Sequence, residues 1–321
     1  MAGVISCFHK EVLQADKSAN YEAVARMQSY IEAHIDEPIT LQDLARTAGY
    51  SPWHCARIFG EITGKTPFAY IRALRLSQAA LLLRDGRKKV SDVAFDFVFD
   101  SHEGFTRAFT RAFGVTPKTY SENAPPIALF MPYDARGTYQ WKYGGEREME
   151  KMEKPDTVFV QVVERPARRA VVKRGTSAED YFAYCEEVGC DVWGVLCSVK
   201  EALYEPVGMW LPKKLIRKGT SRYIQGVEVP LDYDKPLPKG YEMMELEPCR
   251  LMVFQGQPFR DEDFMDAIGI MWELMKSYDP TLYGFEWADE DSPRIQLAPQ
   301  GYRGYIEARP VRSLNRENNF V

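Results

Sequence analysis

Phe59, Gly64, Pro67 and Tyr70 recur exactly 50 residues later as Phe109, Gly114, Pro117 and Tyr120, and Cys55 matches Phe105 at the same offset. Upstream, Leu44 and Ala45 match Val93 and Ala94 at an offset of 49, so the second copy carries one inserted residue. A repeat that preserves both apolar positions and helix breakers requires two copies of one supersecondary unit. In the first copy Thr40 caps a short helix with Leu41, Leu44 and Ala45 on its apolar side. Gly49 suits the left-handed end of that helix, and Ser51 with Pro52 begins a second helix. Each copy therefore reads helix, tight turn, helix. A preceding helix over 20–36 carries Val24, Met27, Ile31 and Ile35 on one stripe, and Pro38 ends it. Between the copies, FAYIRALRLSQAALLLRDG reads as a long helix with Leu76, Ala79, Ala80 and Leu83 inward.

The stretch FTRAFTRAFGVTPKTY places Phe105, Phe109 and Phe113 on one helical face and leaves Arg107 and Arg111 facing out. A basic face on one helix is ordinarily a solvated surface. Two helix-turn-helix copies with basic second helices point instead to DNA, whose major groove admits one helix between walls of phosphate. The charge distribution agrees. From Thr40 to Tyr120 there are 12 Lys and Arg against 7 Asp and Glu, and from Ala124 to Val321 there are 26 against 32. A basic segment is followed by an acidic one.

The stretches ITLQDLARTAGYSPWHCARIFGEITGKTPFAYIRALRL and VSDVAFDFVFDSHEGFTRAFTRAFGVTPKTY resemble the double motif of the AraC/XylS family of bacterial transcription regulators. The resemblance covers about residues 22–121, with Trp53-His54 matching one of its subgroups. It implies an all-α DNA-binding domain over 1–122, with units at about 40–66 and 90–117, whose two recognition helices enter successive major-groove segments about one turn (~34 Å) apart. Base contacts are implied for Trp53, Ala56, Arg57, His102, Glu103, Thr106 and Arg107, and phosphate contacts for Ser51, Ser101 and Arg111. One position departs from the family: Val98 stands in the second turn where glycine is usual. A β-branched residue fits a left-handed corner poorly, so that turn is either reshaped or strained.

Residues 123–155, rich in Pro, Gly and charge, read as a linker. Beyond it TVFVQVVE and ARRAVVKRG alternate like paired strands, a helix follows, and YEMMELEPCRLMVFQGQ with DEDFMDAIGIMWELMKSY repeats the scheme. Pro166, Arg168, Val171 and Phe182 return 82 residues later as Pro248, Arg250, Val253 and Phe264. This predicts a duplicated strand-helix-strand-strand α+β domain over 156–321, with helices on one face of an antiparallel sheet and the other face free to form a cleft.

This region resembles the GyrI-like effector-binding domains. The resemblance implies a pocket for an apolar or cationic small molecule, with Trp193, Trp210, Tyr223, Trp272, Tyr283 and Trp287 as candidate walls. Glu228, Glu286 and Glu307 are the candidate carboxylates. The family places its acidic residue where Ile306 stands, so Glu307 is expected on the opposite face. The whole chain then reads as an effector-controlled transcription regulator. It would bind double-stranded DNA, with RNA polymerase as a further partner. The alternative is a small-molecule hydrolase or sequestering domain fused to a DNA-binding module, with Glu286 as the base.

No nucleophile–base pair or phosphate loop is legible, and no cofactor is expected. Cys7, Cys55, Cys185, Cys190, Cys197 and Cys249 form no CxxC pair, and all four histidines lie in the first third, which argues against zinc. Reduced thiols in a cytoplasmic protein are the expected state, with a redox group at Cys185, Cys190 and Cys197 as the alternative. No apolar run approaches a signal peptide or a membrane span.

Overall fold

The computed structural model describes residues 2–99, 101–143, 157–189, 191–260 and 263–314. Cys190 and the GGEREMEKMEK stretch lie outside the described residues. The chain divides into two compact units, one of Met1–Ala124 with Phe130–Glu148, the other of Pro125–Leu129 with Met149–Val321. Among the described residues no helix is long and apolar enough to cross a membrane.

The first unit is helical: α1 (Ala2–Ala33), α2 (Leu41–Ala48), α3 (Pro52–Thr63), α4 (Pro67–Arg84), α5 (Val90–Asp96), α6 (His102–Phe113), α7 (Pro117–Asn123) and α8 (Ala135–Tyr143). The helix expected over 20–36 is the last part of the longer α1. Local chemistry fixes the ends of the first copy. The Thr40 hydroxyl accepts from the Asp43 N–H at 3.2 Å, and the Asp43 carboxylate accepts from the Thr40 N–H at 3.0 Å, a reciprocal cap. Gly49 leaves α2 at φ 76°, and Ser51 caps α3 through the His54 N–H. Both second helices stop at left-handed glycines with matching backbone, Gly64 at φ 71° and Gly114 at φ 72°. The repeated aromatics meet in both copies, Phe59 with Tyr70 at 5.1 Å and Phe109 with Tyr120 at 5.7 Å.

The stretch read as a linker over 123–155 is divided. Residues 130–143 pack into the helical unit. Gln28, buried on α1, donates to the Tyr133 carbonyl at 2.7 Å and accepts from the Ala135 N–H at 3.0 Å. Ser77 on α4 accepts from the Phe130 N–H at 2.7 Å, and Arg136 pairs with Glu22. Residues 125–129 belong to the second unit, where Ser198 accepts from the Ile127 N–H at 2.9 Å. A Cβ on Gly194 would lie 2.0 Å from the Leu129 carbonyl, so only glycine lets the chain pass there. Partners of this kind lie more than 50 residues away in sequence, which is why composition alone marks the segment as a connector.

Among the described residues the second unit is one nine-stranded antiparallel sheet with helices α9 (Tyr181–Val188), α10 (Val192–Ser198) and α11 (Phe264–Ser277). Its strands are β1 (Phe159–Arg165), β2 (Arg168–Arg174), β3 (Val207–Trp210), β4 (Tyr223–Val229), β5 (Glu242–Leu246), β6 (Cys249–Gln255), β7 (Phe285–Trp287), β8 (Arg294–Leu297) and β9 (Ile306–Ser313). The order β1-β6-β9-β8-β3-β4-β2-β5, with β7 on β9, is a pseudo-two-fold about the β3–β8 seam. Strands adjacent in sequence do not pair as expected: β1 pairs with β6 and β5 with β2, so the two halves exchange their first strands.

Alternation decides the two faces. Val171, Tyr223, Val227, Met252 and Phe254 pack against the helices. The opposite face holds Ala170, Val172, Met209, Ile224, Leu251, Ile295 and Ala308, all buried together with Met244 and Leu246 from the far end of the sheet. One cluster drawing on both ends requires the sheet to curl over this face. The face expected to form a cleft is therefore filled core.

Candidate nucleic-acid interface and aromatic cavity

The helix-turn-helix units present the faces of α3 and α6. On α3, Trp53 is 74% exposed despite its size. Ala56 is half-buried, and exposed Arg57 pairs with Glu61 one turn on at 2.8 Å. On α6, His102, Glu103, Arg107 and Arg111 are exposed, while Thr106 is half-buried beside the Phe105 and Phe109 core. Ser51 and Ser101 are the helix caps: each hydroxyl accepts a backbone N–H, from His54 at 3.3 Å and from Gly104 at 3.0 Å. The Glu103 carboxyl is held below the usual carboxylate range by its own backbone N–H and by Ser101, with His102 and Arg107 adding favourable charge.

The copies differ in charge at two equivalent places, neutral Trp53 against Glu103 and Glu61 against Arg111. Arg57 and Arg107 are equivalent by the 50-residue offset, and so are Glu61 and Arg111. In α3 the arginine is tied back to a carboxylate, whereas α6 carries a second arginine there. The second helix-turn-helix copy thus offers the more basic helix. Its turn is strained, not reshaped: Val98 sits at φ 57° in the left-handed region.

In the second unit a cavity of about 170 Å³ is lined by Trp210, Trp272, Met275, Lys276, Arg294 and Arg309. Because α11 supplies three of these residues, the cavity opens on the helix-bearing face. Trp210 and Trp272 meet edge-to-face at 6.3 Å, and the Arg294 guanidinium lies 4.9 Å from the Trp210 ring and 5.9 Å from that of Trp272. Behind them Glu307 is 0% exposed. It accepts from Trp272 Nε1 at 2.8 Å, from the Tyr305 hydroxyl at 2.8 Å and from Arg294 Nε. The helix face is thus where Glu307 points, and the one-place offset from Ile306 turns it toward the cavity. Gln296 donates to the Tyr223 hydroxyl at 3.0 Å, which extends the buried polar chain across the seam. A Cβ on Gly208 would strike that hydroxyl at 2.1 Å, so β3 needs glycine there. Burial pushes the Tyr223 and Tyr305 phenols well above their ordinary range, and Glu307 beside Tyr305 adds to the rise there.

The structure brings Trp210, Tyr223, Trp272 and Glu307 together and separates the other candidates. Trp287 stands behind Arg309, 4.1 Å from its guanidinium. Tyr283 is exposed and stacks on Tyr278, and Trp193 lies on α10, outside the cavity lining. Glu228 is on the filled face, paired with buried Arg168 at 2.9 Å. Glu286 is 43% exposed and bridged to Arg312, so the desolvation a catalytic base would need is missing. Sequence reasoning missed Arg294, Arg309, Met275 and Lys276. The available signal was the repeat: Tyr223 and Gln225 return 82 residues later as Tyr305 and Glu307, placing Glu307 on the strand face that carries the buried tyrosines.

Two linked helix-turn-helix units, each with a second helix that carries exposed side chains, define the class of the first unit. A model of a helix-turn-helix domain matches residues 44–123. The transcriptional regulator Rob of Salmonella typhimurium is 41% identical over 108 residues, 31% of this chain and 37% of Rob. The regulatory protein SoxS of Escherichia coli is 38% identical over 92 residues, 29% of this chain and 86% of SoxS. The chain belongs to the AraC family of transcription regulators. It spans little more than a third of the length of Rob. The solved structure of SAV2435 bound to tetraphenylphosphonium aligns with 50% of this chain and 98% of its own, at 17% identity and a TM-score of 0.35, too low to establish a common fold.

Proposed function

We propose that the protein is a sequence-specific DNA-binding transcription regulator whose second unit binds a small molecule in the Trp210–Trp272 cavity. The observation that carries the DNA reading is the pair of capped helices α3 and α6, which end in matching backbone and turn Trp53, Arg57, His102, Glu103, Arg107 and Arg111 outward. Arginines at this spacing can grip guanine edges or phosphates, and Trp53 can pack on sugars and thymine methyls. A monomer suffices for two half-sites because the duplication is internal. Ligand control requires that the ligand favour one of two states of the protein. A polymerase contact on the same chain is compatible with this reading.

Selection from random duplex DNA with the full-length protein, at fixed salt, tests it. Two enriched blocks about one helical turn (~34 Å) apart are the expected result. Retention equal to that of unselected DNA overturns the reading.

A further inference from the structure

We propose that the cavity selects an anionic, flat apolar molecule such as an aromatic carboxylate, and that Arg294 is what sets this choice. The inference rests on the reading of the cavity as the ligand site and names its ligand class.

Two tryptophans with a buried carboxylate behind them would by themselves attract a cation. In this chain that place is already taken. Arg294 lies against both indole rings and is bonded to Glu307, whose remaining bonds come from Trp272 and Tyr305. A ligand cation would have to expel a half-buried guanidinium from its hydrogen-bonded pair with the fully buried Glu307, leaving that guanidinium beside it. Arg309 and Lys276 complete the polar wall. Each is paired, Arg309 with Asp289 through two bonds and the largely exposed Lys276 with Glu273. The facing carboxylates are thus Glu307, Asp289 and Glu273, and none of them lines the cavity. Three paired cations therefore line the cavity while their carboxylate partners do not, next to the apolar surface of Trp210, Trp272 and Met275. A carboxylate on a planar ring fits both features: the ring against the indoles, the oxygens toward N–H groups already held in place.

The test compares 2-naphthoate with 2-naphthylmethylammonium, which share a ring system and differ in charge. Calorimetry on the full-length protein is the readout, with quenching of tryptophan fluorescence beside it. The wild type is expected to bind the carboxylate at least about tenfold more tightly. Arg294→Gln is expected to lose that preference and gain the ammonium, because it bares Glu307 between two indoles. That variant strands a buried charge, so Arg294→Gln/Glu307→Gln, which leaves none, is measured with it and is expected to discriminate against neither probe. Tighter binding of the ammonium by the wild type overturns the anion assignment and leaves the ligand-site reading standing. Binding of neither probe, with the protein folded, overturns both.

Discussion

Gly49 and Val98 hold the same left-handed corner in the two helix-turn-helix units, at φ 76° and 57°. The hydrogen bonds correspond too: Tyr50 N–H reaches the Ala45 carbonyl at 3.2 Å, and Phe99 N–H reaches that of Ala94 at 3.1 Å. The second copy thus keeps the geometry of the turn without the residue that makes it easy. A β-branched side chain there costs on the order of 1–2 kcal/mol or more. Replacing Val98 with glycine relieves that strain, loses half-buried apolar surface and adds chain entropy to the unfolded state, about 0.5–1 kcal/mol of offset. Val98→Gly is therefore expected to raise stability by about 0.5–1 kcal/mol, and Gly49→Val to lower it by about 2 kcal/mol. Urea midpoints of the two variants against wild type check both signs.

Arg107 and Arg111 are expected to fail in different ways. Arg107→Ala should weaken binding to the selected site by about 1–3 kcal/mol and relax the preference at one base pair. Arg111→Ala should weaken all duplexes alike and reduce the slope of log affinity against log salt by about 1. Titration of selected and scrambled duplexes at several salt concentrations separates the two. Equal losses on both duplexes for Arg107→Ala would reassign it to phosphate.

Glu187 on α9 accepts from the backbone N–H groups of Thr176 and Ser177 and from the Ser177 hydroxyl, tying the β2–α9 connection to its helix. Partial desolvation pushes its carboxyl up, but the two N–H groups outweigh this and hold it down at about 2. A depressed folded-state value means stability that is fully present above the ordinary carboxylate range and lost as pH falls toward 2. The site is exposed, so screening limits its worth to about 1 kcal/mol. Glu187→Gln should cost about that much at pH 7 and nothing measurable near pH 2, a convergence that denaturant titrations at the two pH values would reveal.

The helical unit was largely legible because its signals are local. Capping residues, left-handed glycines and a 50-residue repeat of core aromatics each act within one helical turn of where they are read. Val98 was legible as an anomaly, though only the backbone shows that the turn is strained. The second unit was legible as a duplicated α+β fold and illegible in its pairing. The exchange of β1 and β5 between halves is decided by long-range register, and a strand's alternation does not name its partner. The same limit governed the carboxylates. Glu228, Glu286 and Glu307 all stand on strands, and their fates follow from arginines distant in sequence: Arg168, Arg312 and Arg294.

Glu228 and Arg168 give the sharpest separation of structural from ligand-facing charge. Both are almost wholly buried on the filled sheet face, 2.9 Å apart, with Arg165 at 3.6 Å from the same carboxylate and stacked over Tyr204. Burial pulls the Arg168 guanidinium toward deprotonation, yet Glu228 and Cys249 raise it above its ordinary value, so it stays charged throughout the accessible pH range. Removing one partner leaves that charge buried and uncompensated. Glu228→Leu is accordingly expected to cost about 3–5 kcal/mol. Arg168→Met/Glu228→Leu, which removes the pair, restores apolar volume and leaves Arg165 stacked on Tyr204, is expected to cost less than the sum of the single changes, by a coupling of about 1–3 kcal/mol in a double-mutant cycle. Guanidinium unfolding of the four proteins measures it. Because Glu228 lies across the sheet from Trp210 and Glu307, the double variant should bind 2-naphthoate as the wild type does, and a changed affinity in a fully folded double variant would place Glu228 within reach of the ligand after all.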